Sequence, residues 1–160
     1  MKIMIRTALS KIAIAVVCGA AILAVGVPLG LYVLGLSNIE GRPNPPTDTD
    51  HIAPDTVLLQ QTFRSTAPVV VHALNPWTYA VTVLTEGPKD LRADTGSSAV
   101  WLIARDYNYK HLKNRKMSYW HLSRAALTIW VSRNWTTDQI VTAAAAIARS
   151  WPNHPLPNQR

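Results

Sequence analysis

Residues 12–36 read IAIAVVCGAAILAVGVPLGLYVLGL, and this uncharged run decides the fold. A helix over these 25 residues is ~37 Å long at about 1.5 Å per residue, enough to cross a ~30 Å hydrocarbon core. The alternative is a cleavable signal peptide, whose apolar core is only ~7–15 residues long and ends at a small-residue cleavage site. This run ends in Gly35-Leu36-Ser37-Asn38 instead, so we expect an uncleaved transmembrane helix.

The flanking charges predict the orientation of this helix. Lys2, Arg6 and Lys11 precede it, whereas Arg42 is the one basic residue between positions 37 and 55. Because positive flanks stay in the cytoplasm, the N-terminus is expected there, and the C-terminal domain is expected in the periplasm of a bacterial inner membrane. Cys18 is the single cysteine, so this outer domain is expected to fold without a disulfide.

The net charge of +7 is concentrated in the second half of the chain. Residues 37–99 carry four basic and seven acidic side chains, whereas residues 100–160 carry nine basic and two acidic ones. A basic surface attracts anionic lipid headgroups or a ligand that carries phosphate. Nucleic acid is not expected as a partner outside the cytoplasm, and a basic but merely solvated surface remains the alternative.

The rest of the chain predicts a mainly α fold with a domain of four to five helices. Helices are predicted over 55–64, 77–86, 95–108 and 117–134, and after Thr136. Asn75-Pro76 favours a helix start, although the β-branched residues that follow leave a strand as the alternative. Thr136 and Gln139 have the spacing of a capping box. The predicted organisation is a cytoplasmic stub (1–11), a transmembrane helix (12–36), a Pro-rich extended linker that spaces the domain from the bilayer (37–54), a helical extracytoplasmic domain (55–152) and a flexible tail (153–160).

Two further patterns concern packing. Gly26 and Gly30 form a G-x-x-x-G pair, which is typical of closely packed membrane helices, although Pro28 lies between them. Six tryptophans are many for so small a domain. One or two are expected at the membrane interface and most in the core.

The sequence offers few groups for chemistry. The five histidines show no metal-ligand spacing with carboxylates, and no P-loop or dinucleotide fingerprint is present, so we expect no metal and no cofactor. A general base requires a carboxylate, and Glu86, with Asp90 and Asp94 nearby, is the candidate catalytic residue. The alternative is an ordinary exposed charge at a helix end.

Two segments carry a resemblance to a known family. Residues 96–106, GSSAVWLIARD, are similar to a G-S-T-I-T-Q-Q-L-A-K-N motif, and residues 121–140 align without gaps on K-x-x-E-a-x-x-A-x-x-x-E-x-x-x-S-K-x-x-I. Both motifs belong to the family-51 peptidoglycan glycosyltransferases, membrane-anchored enzymes that polymerise lipid II. The resemblance spans about 96–140 and implies a truncated lysozyme-like domain. The ligand-binding candidates are Ser98, Arg105, His121 and Arg124.

The departures from the family pattern fall on its chemistry. The E-D-x-x-F motif that holds the family's catalytic glutamate is absent. Trp101 and Leu102 replace the paired glutamines, and His121 and Arg124 replace the lysine and glutamate of the second motif. A later glutamate becomes Ser132, and the segment that follows the second motif is missing. The resemblance therefore implies a reduced relative without catalytic machinery.

The sequence as a whole predicts a membrane-anchored cell-envelope protein that is not an active enzyme. Its basic half is expected to bind a glycan strand, lipid II or an envelope protein. Three alternatives stay open: a glycosyltransferase-like enzyme with Glu86 as general base, a structural subunit of an inner-membrane complex, and a sensor of anionic lipid whose binding weakens with salt.

Overall fold

The computed structural model describes residues 2–47, 56–85 and 95–150, and within these residues it contains six helices and no strand. The predicted mainly α fold is thereby confirmed. The helices are α1 (Lys2–Ser37), α2 (Thr56–Phe63), α3 (Pro76–Thr85), α4 (Thr95–His111), α5 (Met117–Asn134) and α6 (Thr137–Arg149).

Helix α1 contains the apolar run. Within the described residues, it is the one helix that is long and apolar enough to cross a membrane, over Ile14–Ser37, with a mean hydropathy of 2.5. No residue of its most apolar window is buried inside the protein, so these side chains face outward. The helix continues through Pro28 and begins at Lys2.

The last turn of α1 packs closely against α5. A Cβ atom on Gly35 would lie 2.7 Å from the Cβ of Ala126 and 2.7 Å from the carbonyl oxygen of Leu122. Only a glycine allows this approach of the two helices. The end of the candidate span is therefore part of the domain. Its side chains enter an apolar cluster of Leu36, Ile39, Ala104, Ala126 and Leu127.

The chain that follows α1 also lies on the domain. Asn38 and Ile39 are 8% and 2% exposed. The backbone N–H of Glu40 donates to the carbonyl of His111, and that of Lys113 donates to the carbonyl of Asn38, both at 3.0 Å. The start of the segment is therefore not the extended spacer that the sequence predicts. The apolar side chain of Ile39 and the buried amide of Asn38 bind the domain at the α4–α5 connector.

Tyr107 binds the turn at Glu40 and Gly41, which follows Ile39. Its hydroxyl donates to the carbonyl oxygen of Glu40 at 2.9 Å, and its ring stacks on His111 with centroids 4.1 Å apart. Partial burial raises the pKa of Tyr107 above its usual 10.0, so the hydroxyl stays protonated and can donate at neutral pH. Gly41 turns the chain here with a φ of 69°, which favours glycine.

Helices α2, α4, α5 and α6 enclose the larger core. Helix α4 lies between α5 and α6, and α2 packs on α4 and α6. The inner faces of α4 and α6 are apolar, since Val100, Ile103, Ile140 and Val141 are at most 3% exposed. The largest fully buried side chains of this core are Leu59, Leu102, Val100, Val131, Ile140 and Val141.

The tryptophans differ from the prediction that most belong to the core. Trp135 is buried, at 8% exposure, but Trp101, Trp120 and Trp130 are half-buried. Trp77 on α3 is exposed. Small side chains and valines fill much of the interior instead, which leaves the indole rings at its edge.

Helix α3 begins as predicted. The side-chain oxygen of Asn75 accepts a hydrogen bond from the backbone N–H of Thr78 at 2.7 Å, and Pro76 is the first helical residue. The strand alternative is wrong, because the cap and the proline favour a helix and α3 packs on α1 and α5.

The capping box of α6 is confirmed and supports a stability prediction. Thr136 Oγ1 accepts from the backbone N–H of Gln139 at 3.3 Å, and Gln139 Oε1 accepts from the backbone N–H of Thr136 at 2.9 Å. Thr136→Ala removes one of these bonds, so we expect a loss of about 1 kcal/mol in the free energy of unfolding. Denaturation followed by circular dichroism checks this. Thr137→Ala is the control, and an equal loss in both variants would contradict the capping role.

Candidate ligand-binding site

Helices α4 and α5 run antiparallel and hold the predicted ligand-binding residues. The side-chain amide of Asn108, near the end of α4, donates to the carbonyl of Trp120, near the start of α5, at 3.0 Å. Asn108 is fully buried, so this bond fixes how the two helices lie against each other. Trp101 on α4 and Arg124 on α5 then face one another across the helix pair.

A cation–π sandwich forms at this point. The guanidinium carbon of Arg124 lies 4.3 Å from the ring centroid of Trp120 and 4.7 Å from that of Trp101. Arg105 lies 5.6 Å from the Trp101 ring. All three distances are within the ~6 Å over which a cation is attracted to an aromatic face.

His121 completes the group. Its ring is edge-on to Trp120, with centroids 4.9 Å apart, and its Nδ1 lies 3.4 Å from Nη2 of Arg124. A guanidinium only donates, so His121 Nδ1 accepts in this contact. We call Trp101, Arg105, Trp120, His121 and Arg124 the Trp–Arg cluster.

Of the four predicted ligand-binding residues, the structure therefore brings three together, Arg105, His121 and Arg124. Ser98 is different, since it is only 7% exposed and lies one helical turn before Trp101, in the interior. A ligand on the surface of the cluster therefore reaches Arg124 and the indole rings before Ser98.

The predicted catalytic residue, Glu86, lies outside the described residues, as do Asp90 and Asp94. Its role as a general base stays a prediction. Within the described residues, no three histidine, cysteine, aspartate or glutamate side chains are grouped so as to hold a metal ion.

The tryptophans of the cluster were missed by the sequence interpretation, which assigned such residues to the core. A local signal was present, however. Trp101 and Arg105 are four residues apart on α4, and Trp120 and Arg124 are four residues apart on α5. Side chains at this spacing are neighbours on a helix surface. Two such pairs on adjacent helices predict a shared cationic and aromatic patch.

The cluster suits an anionic ligand. Stacking on an indole ring uses the face of a guanidinium, while its N–H donors lie in the plane of the group. Such donors match phosphate or carboxylate oxygens in a bidentate geometry, and the flanking aromatic rings suit the apolar face of a sugar. A phosphate-bearing glycan combines both chemistries.

The cluster also lies beside the end of the candidate span. His121 and Arg124 are on the same turn of α5 as Leu122, whose carbonyl oxygen faces Gly35 of α1. This turn of α5 therefore lies close to Ser37, the last residue of the candidate span.

No known protein family, curated protein or solved structure matches this chain in sequence or fold.

Proposed function

We propose that this protein is a single-pass membrane protein of the bacterial cell envelope, and that its helical domain binds lipid II or a glycan strand without catalysis. In this proposal α1 crosses the inner membrane with its N-terminus in the cytoplasm, and the domain is periplasmic. The apolar span and the three basic residues that precede it support this arrangement.

The observation that carries the proposal is the Trp–Arg cluster at the end of the span. Lipid II places a diphosphate and its sugars just outside the bilayer, at the level where α5 holds Arg124. Arginines stacked on indole rings are preorganised, so less side-chain entropy is lost when they bind a phosphate. The position and the chemistry of the cluster therefore fit the same ligand.

The composition of the cluster also supports binding rather than turnover. Trp101, His121 and Arg124 are positions at which the chain departs from the glycosyltransferase motifs, and all three belong to the cluster. Trp101 replaces a glutamine of the motif by an indole, and Arg124 replaces a glutamate by a guanidinium. The change creates an anion-binding surface. It also removes a carboxylate, the group that general-base chemistry needs.

The test is binding and polymerisation of fluorescent lipid II by the full-length protein in nanodiscs. We expect binding by the unaltered chain, no polymer, and an affinity about tenfold to a hundredfold weaker in Arg124→Ala, because a hydrogen bond to a charged group contributes ~1.5–3 kcal/mol. Arg149→Ala is the matched control, since it removes the same charge from α6 and should bind within about twofold of the unaltered chain.

The other outcomes separate the alternatives. Polymer that forms with the unaltered chain and disappears in Glu86→Gln would contradict the non-catalytic proposal and indicate a glycosyltransferase-like enzyme. Absence of both binding and polymerisation would contradict ligand binding and favour a structural subunit, whose partner would co-purify at fixed stoichiometry. Equal weakening in Arg124→Ala and Arg149→Ala would indicate nonspecific attraction by the net charge.

A further inference from the structure

An apolar groove lies between α1, α3 and α5, on another face of α5 from the Trp–Arg cluster. Its volume is about 430 Å³. Leu23, Val27 and Leu31 form its α1 wall, while Ala80 of α3 and Ala125 of α5 lie opposite. Among the residues that the structure describes, no charged side chain lines it. An apolar surface of this kind is stable only when something apolar covers it.

The groove lies at the depth of the bilayer. Its α1 wall belongs to the candidate span, so hydrocarbon surrounds it when α1 crosses the membrane. From Leu23 to Tyr32 the helix rises ~14 Å, close to the ~15 Å depth of one leaflet. The groove therefore extends along the leaflet on the domain's side. Helix α3, which forms its second wall, also exposes Trp77 and Val81.

The dimensions of the groove favour a single hydrocarbon chain over a protein helix. A helix is at least ~10 Å across, so about 430 Å³ would hold only roughly one turn of it. The same volume is in the range of ~300–1,000 Å³ that is typical of sites for one small ligand. A flexible chain can follow the narrow length of the groove, whereas a helix cannot.

The surface end of the groove carries positive charge. Arg42 lies just beyond this end of α1, where its Nη1 donates to the carbonyl oxygen of Leu36 at 3.2 Å. Arg133 is exposed, and its Nη1 donates to the carbonyl oxygen of Leu74 at 3.3 Å, two residues before the groove residue Pro76. A guanidinium has five N–H donors, so others can bind a phosphate at the same time.

We propose that the groove binds one acyl chain of an anionic phospholipid from this leaflet, with the lipid phosphate at Arg133. The bound lipid bridges the span and the domain and covers the apolar walls of α1, α3 and α5. This inference shares with the proposed function only the membrane span of α1, because it does not involve the Trp–Arg cluster or lipid II.

The test uses phosphatidylglycerol with a photoreactive acyl chain in vesicles that contain the full-length protein. We expect the label on the α5 peptide that contains Ala125 and Ile129, in addition to exposed α1 residues such as Ile14. Ala125→Phe fills the groove, so its α5 label should fall at least about tenfold. Ala146→Phe makes the same change on the exposed face of α6 and should label as the unaltered protein does.

Four results would overturn the inference or part of it. Label on α1 alone would show a membrane span without a lipid-binding groove. Label on neither helix would contradict the membrane span of α1 as well as the groove, whatever the result of the lipid II measurements. The assignment of the phosphate to Arg133 would be overturned if phosphatidylcholine and phosphatidylglycerol labelled α5 equally and Arg133→Gln did not change the label. A dimer whose α5 peptides are protected from label would assign the groove to a second copy.

Trp120→Ala separates this inference from the proposed function. It should weaken lipid II binding and leave the α5 label intact. Loss of the α5 label in this variant, with its helix content unchanged, would contradict two independent sites.

Discussion

Replacing Gly35 by leucine is expected to separate α1 from α5 and to cost about 3 kcal/mol or more in the free energy of unfolding. Even the first carbon of a side chain at this position would lie 2.7 Å from the Leu122 carbonyl oxygen, which is backbone and cannot rotate away. Leucine favours both helix and membrane, so neither helix propensity nor insertion opposes the change. The loss therefore reports the contact between α1 and α5.

Gly30→Leu is the matched control on the same helix. Apart from the neighbouring backbone of α1 itself, no atom of the described residues lies within 4 Å of a Cβ at Gly30, so this substitution should change stability by less than about 1 kcal/mol. Denaturant titration in mixed micelles gives both free energies. Trypsin provides a second readout, because release of α1 exposes Arg42, whose side chain now donates to the carbonyl of Leu36 at 3.2 Å. Equal losses in the two variants, or unchanged cleavage at Arg42, would contradict the close approach.

The three glycines show what the sequence could not reveal. Gly26 and Gly30 have the G-x-x-x-G spacing, yet no atom of the described chain lies near a Cβ at either position, whereas Gly35 is in close contact. In a run where almost every residue is apolar, hydrophobic periodicity does not distinguish the face that contacts protein from the face that contacts lipid. Which glycine is needed depends on α5, a helix more than eighty residues away in the chain.

Features with local causes were predictable. The capping box at Thr136 and the Asn75-Pro76 helix start depend on residues within four positions of one another, so the sequence contains all of their geometry. The same holds for the proximity of His121 and Arg124 on α5. The remainder of the candidate site needs the pairing of α4 with α5, which the fully buried Asn108 fixes and which the Trp–Arg pairs within each helix do not establish by themselves.

The start of the expected spacer packs on the domain for a related reason. Prolines and polar residues from position 43 onward favour an extended linker, but Asn38 and Ile39 precede them and bind the domain. A short anchor of this kind restricts how far the domain can move from the bilayer. With α1 in the membrane, as both proposals require, it would hold the Trp–Arg cluster near the membrane surface and the acyl groove beside the hydrocarbon of one leaflet.

Asn38 is the centre of that anchor, and Asn38→Ala is expected to cost about 2–4 kcal/mol. Its Nδ2 donates to Ser123 Oγ at 3.0 Å, and its Oδ1 accepts from the backbone N–H of Asn114 at 3.1 Å. Ser123 is fully buried, so its hydroxyl loses this donor and water cannot easily replace it. Asn44→Ala, at an exposed position of the same segment, should change stability by less than about 0.5 kcal/mol.

A double-mutant cycle with Ser123→Ala isolates the buried hydrogen bond. If the side chains of Asn38 and Ser123 are partners, the double variant should be about 1 kcal/mol more stable than the sum of the two single losses predicts. Hydrogen exchange adds a local readout, because the Asn114 amide should exchange faster in Asn38→Ala while the amides of α6 keep their relative protection. Additive losses, or an Asn114 amide that exchanges as before, would mean that Asn38 does not hold the connector. The end of α1 would then be attached to the domain through Gly35, the apolar cluster and the backbone hydrogen bonds to the α4–α5 connector.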